Sequence, residues 1–204
     1  MPADHPHRSI TGVILAGGRS RRMDGTDKAL LPLAGQALLT HIIAALRPQV
    51  DTLILNSNRP ADGYAQFGLP VIADSLPDQP GPLAGLLSAL QASTSELVLS
   101  VPCDTPDLPA DLVARMHAEL ERTGADVCSV SDGERLHAAI MLVRRSTLPA
   151  LQNYLAAGQR KVQDWLRAQP HCVADFSDQP AAFSNINTPQ ELQALEQRFA
   201  RHEC

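Results

Sequence analysis

The chain has 204 residues, of which 44% are hydrophobic, 19% charged and 3% aromatic, and it carries a formal net charge of −5 at pH 7. These figures describe an ordinary globular protein with enough length for a hydrophobic core. They argue against nucleic acid, whose binders are basic and rich in stacking aromatics, and against an anionic membrane surface.

In chain order, residues 1–8 are polar, with two prolines and two histidines, and are expected to form a loose tail ahead of one domain over 9–204. They lack the apolar stretch of a signal peptide. Nowhere do about 18 apolar residues run together as a membrane span requires. A cytoplasmic protein is therefore expected. The first predicted strand, Ile10–Ala16, runs into Leu15-Ala16-Gly17-Gly18-Arg19-Ser20-Arg21-Arg22-Met23 and then Asp24-Gly25-Thr26-Asp27-Lys28. Two glycines leave backbone N–H groups bare, so phosphate oxygens can approach closely. Three arginines and a lysine within ten residues supply the positive field that a triphosphate demands. This loop is neither a Walker loop, because Thr26 follows Gly25, nor a GxGxxG fingerprint.

After Gly35, the residues Leu38, Leu39, Ile42, Ile43 and Leu46 recur at helical spacing, and Pro48 is expected to end that helix. Apolar strands follow over Thr52–Asn56 and Pro70–Ala73. Leu83, Leu86, Leu87 and Leu90 make a second amphipathic helix face. The next strand, Leu97–Val101, closes on Val101-Pro102-Cys103-Asp104-Thr105-Pro106. Mg²⁺ prefers oxygen ligands and is typically held by one or two carboxylates plus substrate phosphates. Asp104, stiffened by flanking prolines, either holds such a cation or caps a turn.

Behind Pro109, Leu112, Met116 and Leu120 predict a third helix, followed by strands over Ala125–Val130 and Ala138–Val143. Met116 and Met141 fit core packing. Arg160 and Lys161 open a helical stretch after Gly158, as a pterin-phosphate site or as a solvated pair. Thr188, Pro189 and Glu191 have the spacing of a capping box at the start of a final helix. The four cysteines, Cys103, Cys128, Cys172 and Cys204, form no CxxC pair, and none of the seven histidines sits at metal-ligand spacing to another. Buried or incidental reduced thiols are expected.

Several strands lack in/out alternation, as strands covered on both faces do. Strand–helix alternation predicts an α/β fold: a right-handed, mostly parallel sheet with helices on both faces. In such sheets ligands bind beyond the carboxyl ends of the strands. The glycine-rich loop, Asn56 and Asp104 all fall there, although Asn56 also reads as a strand-end turn residue.

LAGGRSRRMDGTDK resembles the LAGGxSxRM…DK signature of the pyrophosphorylase-like nucleotidyltransferases. Val71-Ile72-Ala73-Asp74-Ser75, Pro80-Gly81-Pro82-Leu83-Ala84-Gly85, Pro102-Cys103-Asp104-Thr105-Pro106 and Asn185-Ile186-Asn187-Thr188-Pro189 narrow the resemblance to the molybdenum cofactor guanylyltransferases, over roughly residues 10–195. The resemblance implies a Rossmann-like nucleotidyltransferase sheet and transfer of GMP from GTP to the terminal phosphate of molybdopterin, releasing pyrophosphate. Leu15, Ala16, Gly17 and Gly18 would contact the nucleotide through backbone, with Lys28, Asn56, Asp74, Gly81 and Asp104 completing the site. Asp104 would hold Mg²⁺. Lys28, Arg19 and Arg22 would hold the triphosphate and steady the departing pyrophosphate. His137 could face the second substrate, and the product would pass to molybdoenzymes or their delivery proteins. The remaining alternatives are a cytidylyltransferase on the same cofactor, a sugar-phosphate nucleotidyltransferase, and a non-catalytic carrier of nucleotide or cofactor.

Overall fold

The apolar run Ile-Thr-Gly-Val-Ile-Leu forms β1 (Ile10–Leu15), whose four central residues are all buried. A strand buried on both faces belongs in the middle of a sheet, and the rest of the chain is arranged around it. The computed structural model describes residues 9–17, 27–76 and 81–202. After β1 come a small antiparallel pair, β2 (Pro32–Leu33) and β3 (Gln36–Ala37), then α1 (Leu38–Leu46), β4 (Thr52–Asn56) and β5 (Val71–Ile72). Next are α2 (Pro82–Ala92), β6 (Leu97–Pro102), α3 (Leu112–Thr123), β7 (Val127–Ser131) and β8 (Leu136–Arg144). The chain ends through α4 (Leu148–Ala156), α5 (Val162–Arg167), β9 (His171–Asp175) and α6 (Pro189–His202).

Seven strands form a sheet in the order β5-β4-β1-β6-β8-β7-β9. Pairings β1–β4, β1–β6, β4–β5 and β7–β9 are parallel, while β8 runs antiparallel to both neighbours. Leu15 therefore lies opposite both Asn56 and Pro102, which brings three strand ends to one edge of the sheet. Because β8 is reversed, its beginning, Leu136 paired with Ser131, comes to that same edge.

Alternate residues of each strand feed two cores. On one face Ile14, Leu55, Leu99 and Leu142 pack with Leu39, Ile42 and Leu46 of α1 and Leu112, Met116 and Leu120 of α3. On the other, Val13, Ile54, Val98 and Met141 pack with α2, with Leu151 and Leu155 of α4, and with Trp165 of α5. Helices thus cover both faces. A third cluster of Leu33, Leu38, Ile186 and Leu195 seats α6 against β2 and α1.

The structure departs from the sequence expectations at several points. Helix α2 is buried almost all round, from Leu83 to Leu90, because α4 packs against it as well as the sheet. Its leucine stripe marks only the part that meets the strands. Strand β9, on the sheet edge, has no uniformly apolar run: Cys172 and Ala174 are buried while Val173 and Asp175 are exposed. The strand expected over Pro70–Ala73 shortens to Val71–Ile72. Pro48 sits inside a 3₁₀ turn, Arg47–Gln49, that follows directly on the end of α1 at Leu46. The pair β2–β3 turns on Ala34 and Gly35, whose φ values are 47° and 77°.

The capping box of α6 is formed. Thr188 Oγ1 accepts the Glu191 N–H at 3.2 Å, and Glu191 Oε2 accepts those of Asn187 and Thr188 at 2.7 and 2.8 Å. The Asn187 N–H, with smaller help from Thr188, holds the Glu191 carboxyl below the usual carboxylate range. Met116 and Met141 are core residues, and Cys103, Cys128 and Cys172 are buried and free. Among the described residues, no helix is long and apolar enough to cross a membrane.

Gly85 of α2 faces the end of β4. A Cβ there would fall inside contact distance of Asn56 Oδ1, 3.1 Å from Asn56 Cγ and 2.7 Å from Leu15 Cδ2. Gly85→Ala gains up to about 1 kcal/mol in helix propensity, but overpacking costs about 1–3 kcal/mol. A net loss of stability is expected, read as a lower urea midpoint at unchanged slope. Unchanged or raised stability would show that Asn56 yields freely.

Candidate active site

The carboxyl edge of the sheet is tied together by backbone. The Cys103 N–H donates to Leu15 O at 3.1 Å, and the Ala16 N–H donates to Asn56 O at 2.8 Å. Gly17 follows, with no side chain. A Cβ at that position would lie 3.6 Å from Asn58 Nδ2, 3.7 Å from Asn56 Oδ1 and 3.9 Å from Asp74 Oδ2. Gly17 therefore opens directly onto a polar cluster.

That cluster is a carboxylate clamped by two asparagines. Asn56, only 2% exposed, donates to Asp74 Oδ1 at 3.0 Å. Asn58 donates to Asp74 Oδ2 at 2.8 Å and accepts the Asp74 N–H at 2.9 Å. A half-buried carboxylate met by neutral donors stays oriented and keeps acceptor capacity for a ligand. Alongside, Ser57 Oγ donates to the Tyr64 hydroxyl at 3.0 Å, and Tyr64 donates to Asp27 Oδ2. Burial, reinforced by Asp27, pushes the Tyr64 phenol up to about 12. Asp27 Oδ1 accepts the Ala29 N–H at 3.1 Å and so caps the short turn Lys28–Leu30. The approach of Lys28 is thereby fixed.

Lys28 reaches across the edge. Its Nζ donates to Asp104 Oδ2 at 3.2 Å and to Asn187 Oδ1 at 2.6 Å. The Lys28 and Asp104 side chains are only 19% and 17% exposed. The Ile186 N–H donates to Asp104 O at 2.9 Å, and Thr105 Oγ1 donates to Asn185 Oδ1 at 2.8 Å, so the Asn185–Asn187 strap is bound to the Asp104 turn. Among the described residues no donor occupies Asp104 Oδ1. Nor do any three His, Cys, Asp or Glu residues among them gather as a metal cluster. Burial pushes the neighbouring Cys103 thiol up to about 12, so it stays protonated at neutral pH.

On the far side of the strap lies a cavity of about 710 Å³. Its walls come from the β7–β8 hairpin (Asp132, His137), from the segment Phe183–Asn187, and from Leu195 and Arg198 of α6. His137 Nε2 meets Asp132 Oδ2 at 2.7 Å, and its ring lies tilted against Phe183 at 5.1 Å between centroids. Burial alone would raise the Asp132 carboxyl. The bonds from His137 and from the Arg135 and Glu134 N–H groups outweigh that and bring it down to about 2.

Of the residues singled out from sequence, Leu15, Ala16, Gly17, Lys28, Asn56, Asp74 and Asp104 meet at this edge, while Gly18, Arg19, Arg21 and Arg22 lie outside the described residues. Gly81, at φ 92°, opens α2 and accepts the Ala84 N–H at 3.0 Å. Arg160 and Lys161 do not line the cavity. Arg160 donates to Leu155 O and Gln159 O at 2.7 and 2.6 Å, finishing α4. Sequence reasoning assigned no role to Asn58, Tyr64, Asp27 or Asn187. Asn58 carried a signal, since it stands two residues after Asn56 at a strand end. Asn187 stood in a quoted motif whose link to Lys28 spans 159 positions.

A family model described as the MobA-like NTP transferase domain matches residues 12–173. The molybdenum cofactor guanylyltransferase of Shewanella sediminis is 43% identical over 192 residues, covering 94% of this chain and 98% of its own. That of Shewanella putrefaciens is 45% identical over 190 residues, covering 92% and 97%. Among solved structures, molybdopterin-guanine dinucleotide biosynthesis protein A from Archaeoglobus fulgidus superposes with a TM-score of 0.77 at 19% identity, covering 94% of this chain and 99% of that one. The 4-diphosphocytidyl-2C-methyl-D-erythritol synthase of Anaerococcus prevotii reaches 0.73 at 12% identity, covering 95% and 96%. Likeness at such low identity establishes a shared fold, so the fold alone does not choose the base.

The Asp132–His137 pair has a pH signature. A carboxyl whose folded value of about 2 lies below its ordinary 3.8 stabilises the fold above about pH 4 and loses that contribution as pH falls through 2. The difference in unfolding free energy between wild type and Asp132→Asn should be constant near neutrality and shrink between pH 4 and 2. A difference that stays flat through that window would place the Asp132 interactions outside the stability balance.

Proposed function

This chain belongs to the molybdenum cofactor guanylyltransferases within the MobA-like NTP transferase family, and from that premise we infer that it transfers GMP from GTP to the terminal phosphate of molybdopterin. An oxygen of the acceptor's phosphate attacks the α-phosphorus of GTP in line. The bond from that phosphorus to the bridging oxygen breaks, and pyrophosphate leaves. The acceptor arrives as a ready nucleophile, so no covalent enzyme intermediate is needed.

The observation that carries this reading is the junction of Lys28, Asp104 and Asn187, with a polar cluster on one flank and a cavity on the other. In-line displacement needs donor and acceptor on opposite sides of the reacting phosphorus. GTP occupies the flank of Gly17, Asn56 and Asp74, with its base edge meeting that polar cluster. Molybdopterin occupies the flank of the cavity. Lys28 stands between them, where one ammonium can neutralise charge on the reacting phosphate and the leaving group. The arginines Arg19 and Arg22 belong to the same triphosphate loop in this reading.

Mg²⁺ fits the site by its donor set: one strand-end carboxylate with an oxygen that no described residue occupies, and phosphates to supply the other ligands. Asp104 would hold it, and when bound the ion would neutralise phosphate charge. The protein's own part is to position the two substrates and exclude water between them. No described helix is long and apolar enough to cross a membrane. In this reading the product goes to molybdoenzymes or their delivery proteins.

Mass spectrometry of the product formed from purified molybdopterin and each triphosphate tests the reading. GTP should give the guanine dinucleotide. Buried polar groups left unpaired by the wrong base should lower kcat/KM for CTP and ATP by about 10²-fold or more. CTP equal to GTP would move the chain to a cytidylyltransferase role, and tight GTP binding without turnover would make it a carrier. Asp104→Asn should keep its fold and lose at least about 10²-fold in kcat. Near-normal turnover at saturating Mg²⁺ would remove Asp104 from the metal.

A further inference from the structure

The cavity beyond the Asn185–Asn187 strap contains one polar device that the GMP-transfer chemistry leaves unused. Asp132 sits in the turn between β7 and β8. It accepts the Glu134 N–H at 2.9 Å and the Arg135 N–H at 2.6 Å through one oxygen, and meets His137 Nε2 at 2.7 Å through the other. An ionised carboxylate has no proton to give, so the shared proton stays on Nε2. Nδ1 is then the ring's remaining polar atom. One ring face rests against Phe183, which is 1% exposed and packs edge-on against Phe176 at 5.2 Å. The imidazole is held at an edge and on a face, and it lines a cavity that opens beside the reaction centre.

Orienting a mostly buried imidazole, 15% exposed, this firmly at the wall of a cavity does more than stabilise the hairpin. It makes sense where Nδ1 must meet a ligand in one geometry. The reversal of β8 is what brings this ring to the carboxyl edge, on the side of Asp104 opposite Asn56 and Asp74. We propose that His137, oriented by Asp132 and Phe183, is a positioning and specificity residue for the phosphorylated heterocyclic acceptor, contacting it through Nδ1. This rests on the reading that the cavity takes the acceptor. Nδ1 offers a neutral ring acceptor to the N–H groups of a pterin, and a donor when the ring is protonated.

Steady-state kinetics with molybdopterin and GTP on His137→Ala and His137→Asn test this. In His137→Ala the KM for molybdopterin should rise at least about tenfold, the loss that accompanies one oriented hydrogen bond. The KM for GTP and the kcat at saturating acceptor should stay within about twofold. Asparagine places a polar atom near the Nδ1 position, so His137→Asn should recover most of the acceptor affinity. Asp132→Asn should raise the same KM less than the alanine variant does. An unchanged acceptor KM in His137→Ala, or equal increases in both KM values, overturns the proposal. If the alanine variant does not fold, failure of His137→Gln to weaken the acceptor would count equally, because glutamine reaches the Nε2 position and leaves Nδ1 empty. Equilibrium dialysis with molybdopterin alone separates this from the transfer reading. Wild type that binds but does not transfer sinks the transfer reading, and His137→Ala still decides the contact. Wild type that does not bind molybdopterin sinks both.

Discussion

One ammonium group organises the working edge of this protein. Lys28 Nζ joins a strand-end carboxylate, Asp104, to a side-chain carbonyl, Asn187, drawn from three separate parts of the chain. A largely buried pair of this kind returns little net stability, because desolvating both charges offsets their attraction. Its value is electrostatic. Asp104 balances the lysine. In the proposed reaction a triphosphate would bring more negative charge than one carboxylate, and Lys28 stands where that charge would arrive. Asn187 holds the ammonium without neutralising it, because an amide oxygen carries no net charge. The scaffolding behind Lys28 serves the same end: Tyr64 and Ser57 fix Asp27, and Asp27 caps the turn that starts with Lys28.

The flanks of this junction differ in chemistry because the sheet is not uniform. Toward β5 the strands are parallel, so their carboxyl ends pile up polar residues at one place, as ligand sites in such sheets do. Asp74 there is clamped by Asn56 and Asn58, and Gly85 leaves room for Asn56 to point inward. Toward β9, the reversed strand β8 delivers the beginning of a strand to that edge, with a hairpin turn instead of a strand end. The result is a wider space with an aromatic floor and an oriented imidazole. The proposed approach of two substrates to one carboxylate from opposite sides rests on this difference. Parallel topology alone would have repeated one kind of pocket.

Much of this was legible in the chain itself, for local reasons. The unalternated apolar runs marked strands covered on both faces, because a residue with no polar neighbour has nowhere to go but inside. Glycines and cations behind β1 suggested a phosphate loop for an equally local reason, that bare backbone lets phosphate approach, although residues 18–26 lie outside the described ones. The capping box of α6 is a three-residue device, and its bonds formed as its spacing required. Asp104 and Asn56 stood at strand ends, where the topology of such sheets places ligand groups. These inferences share one property: the evidence for each lies within a few positions of the residue concerned.

What tertiary structure alone decided are the partnerships between distant segments. Nothing near Lys28 in sequence points to Asn187, and nothing near Asp74 points to Asn58 as its second clamp. The reversal of β8 could not be read from its residues, because a buried strand looks the same in either direction. Burial on all sides of α2 depended on a fourth helix arriving from residues 148–156. Edge strand β9, with buried and exposed residues alternating over only five positions, becomes a strand because β7 offers it hydrogen bonds. Local chemistry names the groups a protein can use, but contacts between remote segments follow from how whole faces are buried. That burial is a sum over the entire chain, which no short stretch of sequence carries.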